Sequence, residues 1–517
     1  MARNPEPAVY ADFPDPDIIR VGDTYYMATT TMYFMPGGDI LQSCDLVHWE
    51  FLCHVFDSLE DNPAHKLEDG QQIYGQGMWA PSLRFHQGVF YLTFACNDTH
   101  KSLLFRASDP AGPWQRTEMN GFFYDASLFF DEDGKVYIIH GNTTLYLTEM
   151  DSKTWGPKPG GLHRVLVTDQ PGQRLGYEGS HFYKRDGRYY LFTCHMPQGS
   201  RCLKTQDCFL ADSLTGQFRK KTILDEDRNW RGFGIAQGGM VENPEGNWYG
   251  FFFQDRGALS RSPVWMPLTF DPEGFPVPDC GKAWTFAAQS PLNGDSFYRG
   301  PDRTELARYW QFSHNPDPAG WSVTARPDAF RLTPRRTSPN LILARNTLTQ
   351  RCVGPQSSAW VRLDGTGLRE GDYAGICAYQ GCYGAIALTR RDGAYWLVML
   401  GRPAENSRIE GDFDFGRPPV EYARVPAAEP VATLRVNADF SCEPDTAEFF
   451  YLEKEDVWQS IGIRQPLHFK LDLFTGCRFG LFCYATVQPG GYADFLNFHF
   501  QGPITKKQPS MMRVILR

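Results

Sequence analysis

Three acidic residues, Asp15, Asp125 and Glu178, each open a segment of the same design, and this recurrence marks where chemistry could reside. The segments read DPDIIRVGDTYYMA from Asp15, DASLFFDEDGKVYII from Asp125 and EGSHFYKRDGRYYLF from Glu178. Two more, APSLRFHQGVFYLTF from Ala80 and QGGMVENPEGNWYGF from Gln237, complete the set. One acid opening one strand is readily explained as a cap or a turn bond. Three at equivalent positions are not, because like charges brought together without a cation lose stability to repulsion and desolvation. Such a set suits the cleavage of a glycosidic bond. One carboxyl, protonated, gives its proton to the leaving oxygen, while another, ionised, activates water or attacks the anomeric carbon. A third raises the pKa of the proton donor through its charge.

Each segment runs from a polar opener into an apolar strand, a glycine-containing turn and an aromatic-rich strand, which is the pattern of a β-hairpin. Asp133-Gly134, Asp186-Gly187 and Glu245-Gly246 supply the positive φ that hairpin turns require. The turn glycines Gly22, Gly88, Gly134, Gly187 and Gly246 are 66, 46, 53 and 59 residues apart. That spacing holds four strands per repeat, as in a propeller blade. A helical solenoid is excluded by the period-2 strands and the lack of long amphipathic helices. In a propeller every innermost strand starts at the same end of the central channel, so the five openers should meet at one mouth. After about residue 295 the loop SPLNGDSFYRGPDR reads as a seam. Short strands such as FRLTP, YAGICAY, AYWLVML and FGLFCYAT then predict a sandwich. The expected fold is all-β: a five-bladed β-propeller over 1–295, followed by a jelly-roll-like β-sandwich over 296–517.

Composition narrows the classes of function. With 517 residues, 42% hydrophobic and 21% charged, the chain is an ordinary globular protein with room for two domains. Its net charge of -9, without a basic stripe, argues against a nucleic-acid partner. Thirteen cysteines without a repeated CxxC spacing argue against zinc and for reduced core thiols. The start MARNPEPAVYADF lacks the apolar stretch of a signal peptide, and no run of about 18 apolar residues suggests a membrane span. The expectation is a cytoplasmic protein without membrane contact. The run GFGIAQGG is not followed by a helix and so is no nucleotide loop.

With these residues in place, the sequence resembles glycoside hydrolase family 43 over nearly the whole chain. The carriers are FPDPDIIRVGDTYYMATTTMYFMPGGDILQSCDLVHW, YDASLFFDEDGKVYI and YEGSHFYKRDGRYYLF, in that order. The resemblance implies Asp15 as general base, Asp125 as pKa modulator and substrate orienter, and Glu178 as general acid. It also implies inversion through direct water attack, for which the base and acid stand roughly 6.5–9.5 Å apart. Asp17 points to the opposite strand face from the base and is assigned a structural role.

Trp79, just before the second opening strand, offers an indole face on which a sugar can stack, with an inter-blade core position as the alternative. From the resemblance, Phe34 or Met35 before Pro36-Gly37 would wall the sugar subsite. Arg261 within FQDRGALSRSPVWMPLTF would bind sugar hydroxyls, with Arg256 as the alternative. A sandwich loop would close one side of the pocket, with Phe495 in GGYADFLNF as the candidate. Many relatives carry His at the fifth opening, where this chain has Gln237. A Gln carbonyl is an oxygen ligand, so Ca²⁺ in the channel stays compatible, although the chemistry itself needs no cofactor. The implied substrate is a pentose-containing oligosaccharide, xylose or α-L-arabinofuranose being removed from its end. A non-catalytic sugar-binding propeller and an endo-arabinanase are the competing readings. Self-association into a homo-oligomer is compatible with an enzyme of this type.

Overall fold

The computed structural model describes residues 8–287, 293–300, 302–403 and 414–503. Among these the helical elements are three single turns of 3-10 helix, at Gly257–Leu259, Cys280–Lys282 and Pro318–Gly320, and the remaining regular structure is strand. The five repeats form five antiparallel sheets, the blades of a propeller. Their inner strands are Asp17–Val21, Ser82–His86, Ser127–Phe130, Leu175–Arg185 and Ile235–Glu242. These lie side by side in a ring, the fifth packed back against the first. The five turn glycines all have positive φ, between 62° and 83°, as the hairpin reading requires.

Blades cohere because each sheet is apolar on both faces and packs on the next. Phe129, Tyr137, Phe182, Leu191 and Phe209 fill the space between the third and fourth blades. Polar side chains knit the inner strands across the channel. The buried Asp17 accepts from Leu83 N at 2.8 Å and from Arg84 Nη1 at 2.6 Å. Arg84 continues to Leu128 O and Ser127 Oγ of the third blade, both at 2.7 Å. Ser127 Oγ accepts from Phe182 N of the fourth blade at 3.0 Å. Arg20 Nε reaches Glu242 O of the fifth at 2.7 Å. Asp17 is therefore part of the ring's fastening.

The second half forms two packed sheets. One runs Val420–Ala427, Ala394–Gly401, Gly384–Arg391, Asp372–Tyr379, Arg478–Ala485, Leu348–Arg351, Gln311–Ser313 and, at its edge, Phe34–Met35. The other runs Trp321–Ser322, Ala329–Leu332, Ala493–Gln501, Gln356–Asp364, Val431–Asp439, Asp445–Lys454 and Val457–Ser460. Phe330, Val361, Leu363, Ile376, Ile386, Met399, Leu434 and Phe495 lie in the core between them. The two halves exchange backbone: Phe34–Met35 belongs to the first blade in sequence, yet pairs with Phe312 and Ser313 of the sandwich. At the N-terminus, Ala8–Ala11 pairs with both Phe286–Ala287 and Val353–Gly354. A buried ion pair, Asp39 Oδ2 with Arg351 Nη2 at 2.6 Å, crosses the same boundary.

All thirteen cysteines are free thiols. Among the described residues, no helix is long and apolar enough to cross a membrane.

The channel pair supplies a stability prediction. Arg84→Ala leaves the buried Asp17 carboxylate without its cation and should destabilise the protein by about 3–5 kcal/mol. Denaturant unfolding measures this, and a loss below about 1 kcal/mol would deny the pair its role as fastener.

Candidate active site

The openers meet at the mouth through a shared backbone device. Asp15, Asp125 and Gln237 have φ of 51°, 45° and 58°, in the left-handed region that non-glycine residues rarely occupy. At the fourth opening the same turn falls on Gly179 (φ 64°), directly after Glu178. The strand pairing shifts register on either side of Glu178, which lets its side chain turn toward the channel. Strained backbone of this kind persists where the surrounding structure holds it, and here it aims three carboxyls at one space.

Asp15 is buried against a cation. Arg261 Nη1 lies 3.1 Å from Oδ1 and 3.0 Å from Oδ2, and Thr30 Oγ1 donates to Oδ2 at 2.7 Å. Arg261 reaches it from the start of the fifth blade's third strand, immediately after the tight turn Gly257–Leu259. Asp125 Oδ2 accepts from Gly179 N at 3.1 Å, while Oδ1, also buried, meets no hydrogen-bond donor among the described residues. Burial, and then the charges of Glu178 and Asp15, push the Asp125 carboxyl well above the usual range against the pull of Gly179 N and Arg261. Glu178 Oε2 accepts from Asn142 Nδ2 at 2.7 Å and from Tyr124 Oη at 3.3 Å. Its carboxyl is pushed up to about 7, chiefly by burial with Asp15 adding to it, although Asn142, Lys204 and Tyr124 pull the other way. The three acids thus occupy different electrostatic settings: one on a guanidinium, one with a bare oxygen, one held by two neutral donors.

An aromatic wall faces them. Trp79 donates from Nε1 to Gly75 O at 3.2 Å, which fixes its ring 6.0 Å from Tyr124 and 5.6 Å from Phe474 between centroids. The Arg261 guanidinium sits 4.6 Å from the Phe474 ring centre, and its Nη2 reaches Phe474 O at 3.5 Å. Phe474 comes from the sandwich, on the segment just before Arg478–Ala485.

Several expected positions are corrected by this arrangement. Phe34 and Met35 are completely buried and line no subsite. Their two-residue strand is drawn into the sandwich sheet, where Phe34 lies under the Arg478 guanidinium at 3.5 Å and Met35 joins the core of the first two blades. Phe495 is likewise fully buried, on the inner face of Ala493–Gln501. A sandwich residue does reach the mouth, but it is Phe474. Arg256 is not brought to the acids: its guanidinium stacks on Tyr10 at 4.0 Å and Trp230 at 4.5 Å. Burial beside these rings lowers it to about 10.

Gln237 lies in the channel against Gly179, its backbone N donating to Gln206 Oε1 at 2.6 Å and its Oε1 facing the Cys194 thiol at 3.6 Å. Gln237 thus offers one amide oxygen, whereas calcium takes six to eight oxygen ligands, waters among them. Among the described residues no group of three or more His, Cys, Asp or Glu is arranged to hold a metal. Further along the channel, the Asp17 carboxylate is already matched by Arg84.

Sequence reasoning missed Tyr124, Asn142 and Phe474. Tyr124 immediately precedes Asp125, and that adjacency was its available signal. Asn142, in the loop between the second and third strands of blade three, carried none. Phe474 sits in LDLFTG, outside any repeat.

Comparison with known proteins accords with this geometry. The family model described as glycosyl hydrolases family 43 matches residues 4–276, and that of the beta xylosidase C-terminal Concanavalin A-like domain matches 302–501. A putative beta-xylosidase of Xylanibacter ruminicola is 28% identical over 401 residues, covering 74% of this chain and 72% of its own. A non-reducing end alpha-L-arabinofuranosidase of Bacteroides ovatus is 28% identical over 348 residues, with 62% and 63% covered. Among solved structures, a bifunctional GH43-CE protein of Bacteroides eggerthii superposes with a TM-score of 0.88 at 36% identity. That match takes in 98% of this chain, which spans 64% of the longer neighbour. With a five-bladed propeller, a Concanavalin A-like sandwich and a family match over 4–276, the chain belongs to glycosyl hydrolase family 43.

Proposed function

We propose that this chain is an inverting, exo-acting glycosidase that removes terminal xylose, and α-L-arabinofuranose, from pentose-containing oligosaccharides. The observation that carries the reading is the contrast between two carboxyls at one mouth: Asp15 lies on the Arg261 guanidinium, whereas Glu178 is raised to about 7. A base and an acid are distinguished by such opposite settings. Asp15 takes a proton from water as it attacks the anomeric carbon, and Glu178 delivers its proton to the departing glycosidic oxygen. Asp125, whose own carboxyl is pushed well above the usual range by burial and by Glu178, presents its unpartnered Oδ1 to the substrate. Trp79, Tyr124 and Phe474 supply aromatic faces for one sugar ring, and a wall formed partly by a second domain suits a chain end better than an internal segment. The pentose assignment draws on the relatives named beta-xylosidase and alpha-L-arabinofuranosidase.

On p-nitrophenyl β-D-xyloside and α-L-arabinofuranoside, Asp15→Ala and Glu178→Ala should each lower kcat/KM by about 10²–10⁴-fold. Proton NMR of the wild-type reaction should show the inverted anomer first. Full activity in both variants contradicts the assigned roles, and a retained anomer contradicts direct water attack.

The pH profile carries a sign. Glu178 must be protonated to act, so the alkaline limb of kcat/KM should fall with a midpoint near 7, the value to which its carboxyl is raised. The Asn142 amide favours the ionised form, so Asn142→Ala should move that limb to higher pH. An unmoved or lowered limb goes against Glu178 as the acid. Since the two-carboxyl chemistry needs no cation, exhaustive chelation followed by calcium return should leave kcat unchanged, and a calcium-restored loss would show that an ion takes part.

A further inference from the structure

Asp12, three residues before Asp15, is a buried carboxylate that takes no part in the chemistry described above; it is 3% exposed. Its two oxygens are occupied by backbone amides from the two halves of the protein. Oδ1 accepts from Arg261 N at 3.3 Å, in the fifth blade, and Oδ2 accepts from Gly476 N at 2.8 Å, in the sandwich. One donor is the residue whose guanidinium lies on Asp15. The other stands two positions beyond Phe474, the sandwich contribution to the aromatic wall.

The surroundings show that this junction is built closely. Phe13 N donates to Arg261 O at 3.1 Å and Cys477 N to Ala258 O at 2.8 Å, so the three segments are joined by backbone bonds on either side of the carboxylate. Arg351 Nε donates to Asp12 O at 2.7 Å while its Nη2 pairs with Asp39, which fixes the main chain of Asp12 from behind. A Cβ on Gly476 would stand 2.5 Å from Leu259 O and 2.7 Å from Asp12 Cβ, so only glycine allows this approach. A buried carboxylate whose oxygens both accept from amides is held in one orientation, and hydrogen bonds to an ionised acceptor are the stronger kind.

We propose that Asp12 is a positioning residue that sets two parts of the catalytic mouth at once: the Arg261 guanidinium on Asp15, and the Phe474 wall from the sandwich. Through it, the sandwich takes part in forming the sugar pocket. The kinetic consequence rests on the glycosidase reading above, whereas the structural consequence does not.

Two measurements test the proposal. The first is hydrogen exchange on full-length wild type and Asp12→Ala, with Asp12→Asn as the milder variant if the alanine protein does not fold. Faster exchange in peptides containing Ala258–Arg261 and Phe474–Cys477, with the second and third blades unchanged, is expected. Unchanged exchange in those peptides overturns the proposal whatever the enzyme's substrate is. The second is a double-mutant cycle of Asp12→Asn and Phe474→Ala on whichever p-nitrophenyl pentoside the wild type hydrolyses. Losing one of two charge-assisted bonds should raise KM about tenfold when Phe474 is present and less than about twofold when it is absent. The Arg261 limb should appear as a fall in kcat in both backgrounds. Additive KM effects, or a lowered Tm with kcat and KM unchanged, would make Asp12 a staple only and overturn the proposal. A wild type inert on every pentoside would refute the proposed function, and the exchange result would still decide the role of Asp12.

Discussion

Three carboxyls cannot share one desolvated mouth as three full charges, and the rest of the structure answers that constraint. Arg261 supplies one buried cation and places it on Asp15. The remaining negative charge is then disfavoured on Asp125 and Glu178, both of which are raised by burial and by their acidic neighbours. Asymmetry among chemically similar groups follows from where the Arg261 guanidinium lies, and the proposed division into acid and base rests on that asymmetry.

Keeping Arg261 there takes both domains. Its backbone is gripped by Asp12 and Phe13, its guanidinium lies against Phe474, and the turn before it is held by Asp445 of the sandwich, which accepts from Ala258 N at 2.6 Å. The boundary between the halves is bonded like an interior. The Phe34–Met35 strand completes a sandwich sheet, Asp39 pairs with Arg351, and Tyr33 Oη meets Thr475 Oγ1 at 2.9 Å. Tyr74, in the segment between the first two blades, bonds to Tyr379 on the sandwich sheet. In this chain the second domain forms part of the site.

The propeller's own contribution is convergence. Its inner strands enter the channel at one end, and a left-handed residue at the openings turns a strand residue into one that faces the mouth. Side-chain links from Asp17 through Arg84 to Ser127 hold those strands at fixed spacing, so the acids come to one space although they lie far apart in sequence.

Whatever recurs locally was legible in the sequence by itself: five hairpins with their turn glycines, the all-β class, and the acids Asp15, Asp125 and Glu178 that open three of the repeats. Each depends on backbone chemistry within some fifteen residues, which a repeat displays directly. Only tertiary structure decided what fills the space around the acids. Phe34, Met35 and Phe495 carry aromatic or apolar side chains in suggestive places, but long-range strand pairing and core packing claimed all three. Phe474 and Asn142 reach the mouth from loops with no local pattern, because a loop's destination is set by the elements it joins. Arg261 and Arg256 stand five residues apart with the same chemistry, and one tight turn sends the first to Asp15 and the second between two aromatic rings. Residue type and spacing determine what chemistry is available; the distances that separate an acid from its neighbours exist only once the two domains have packed.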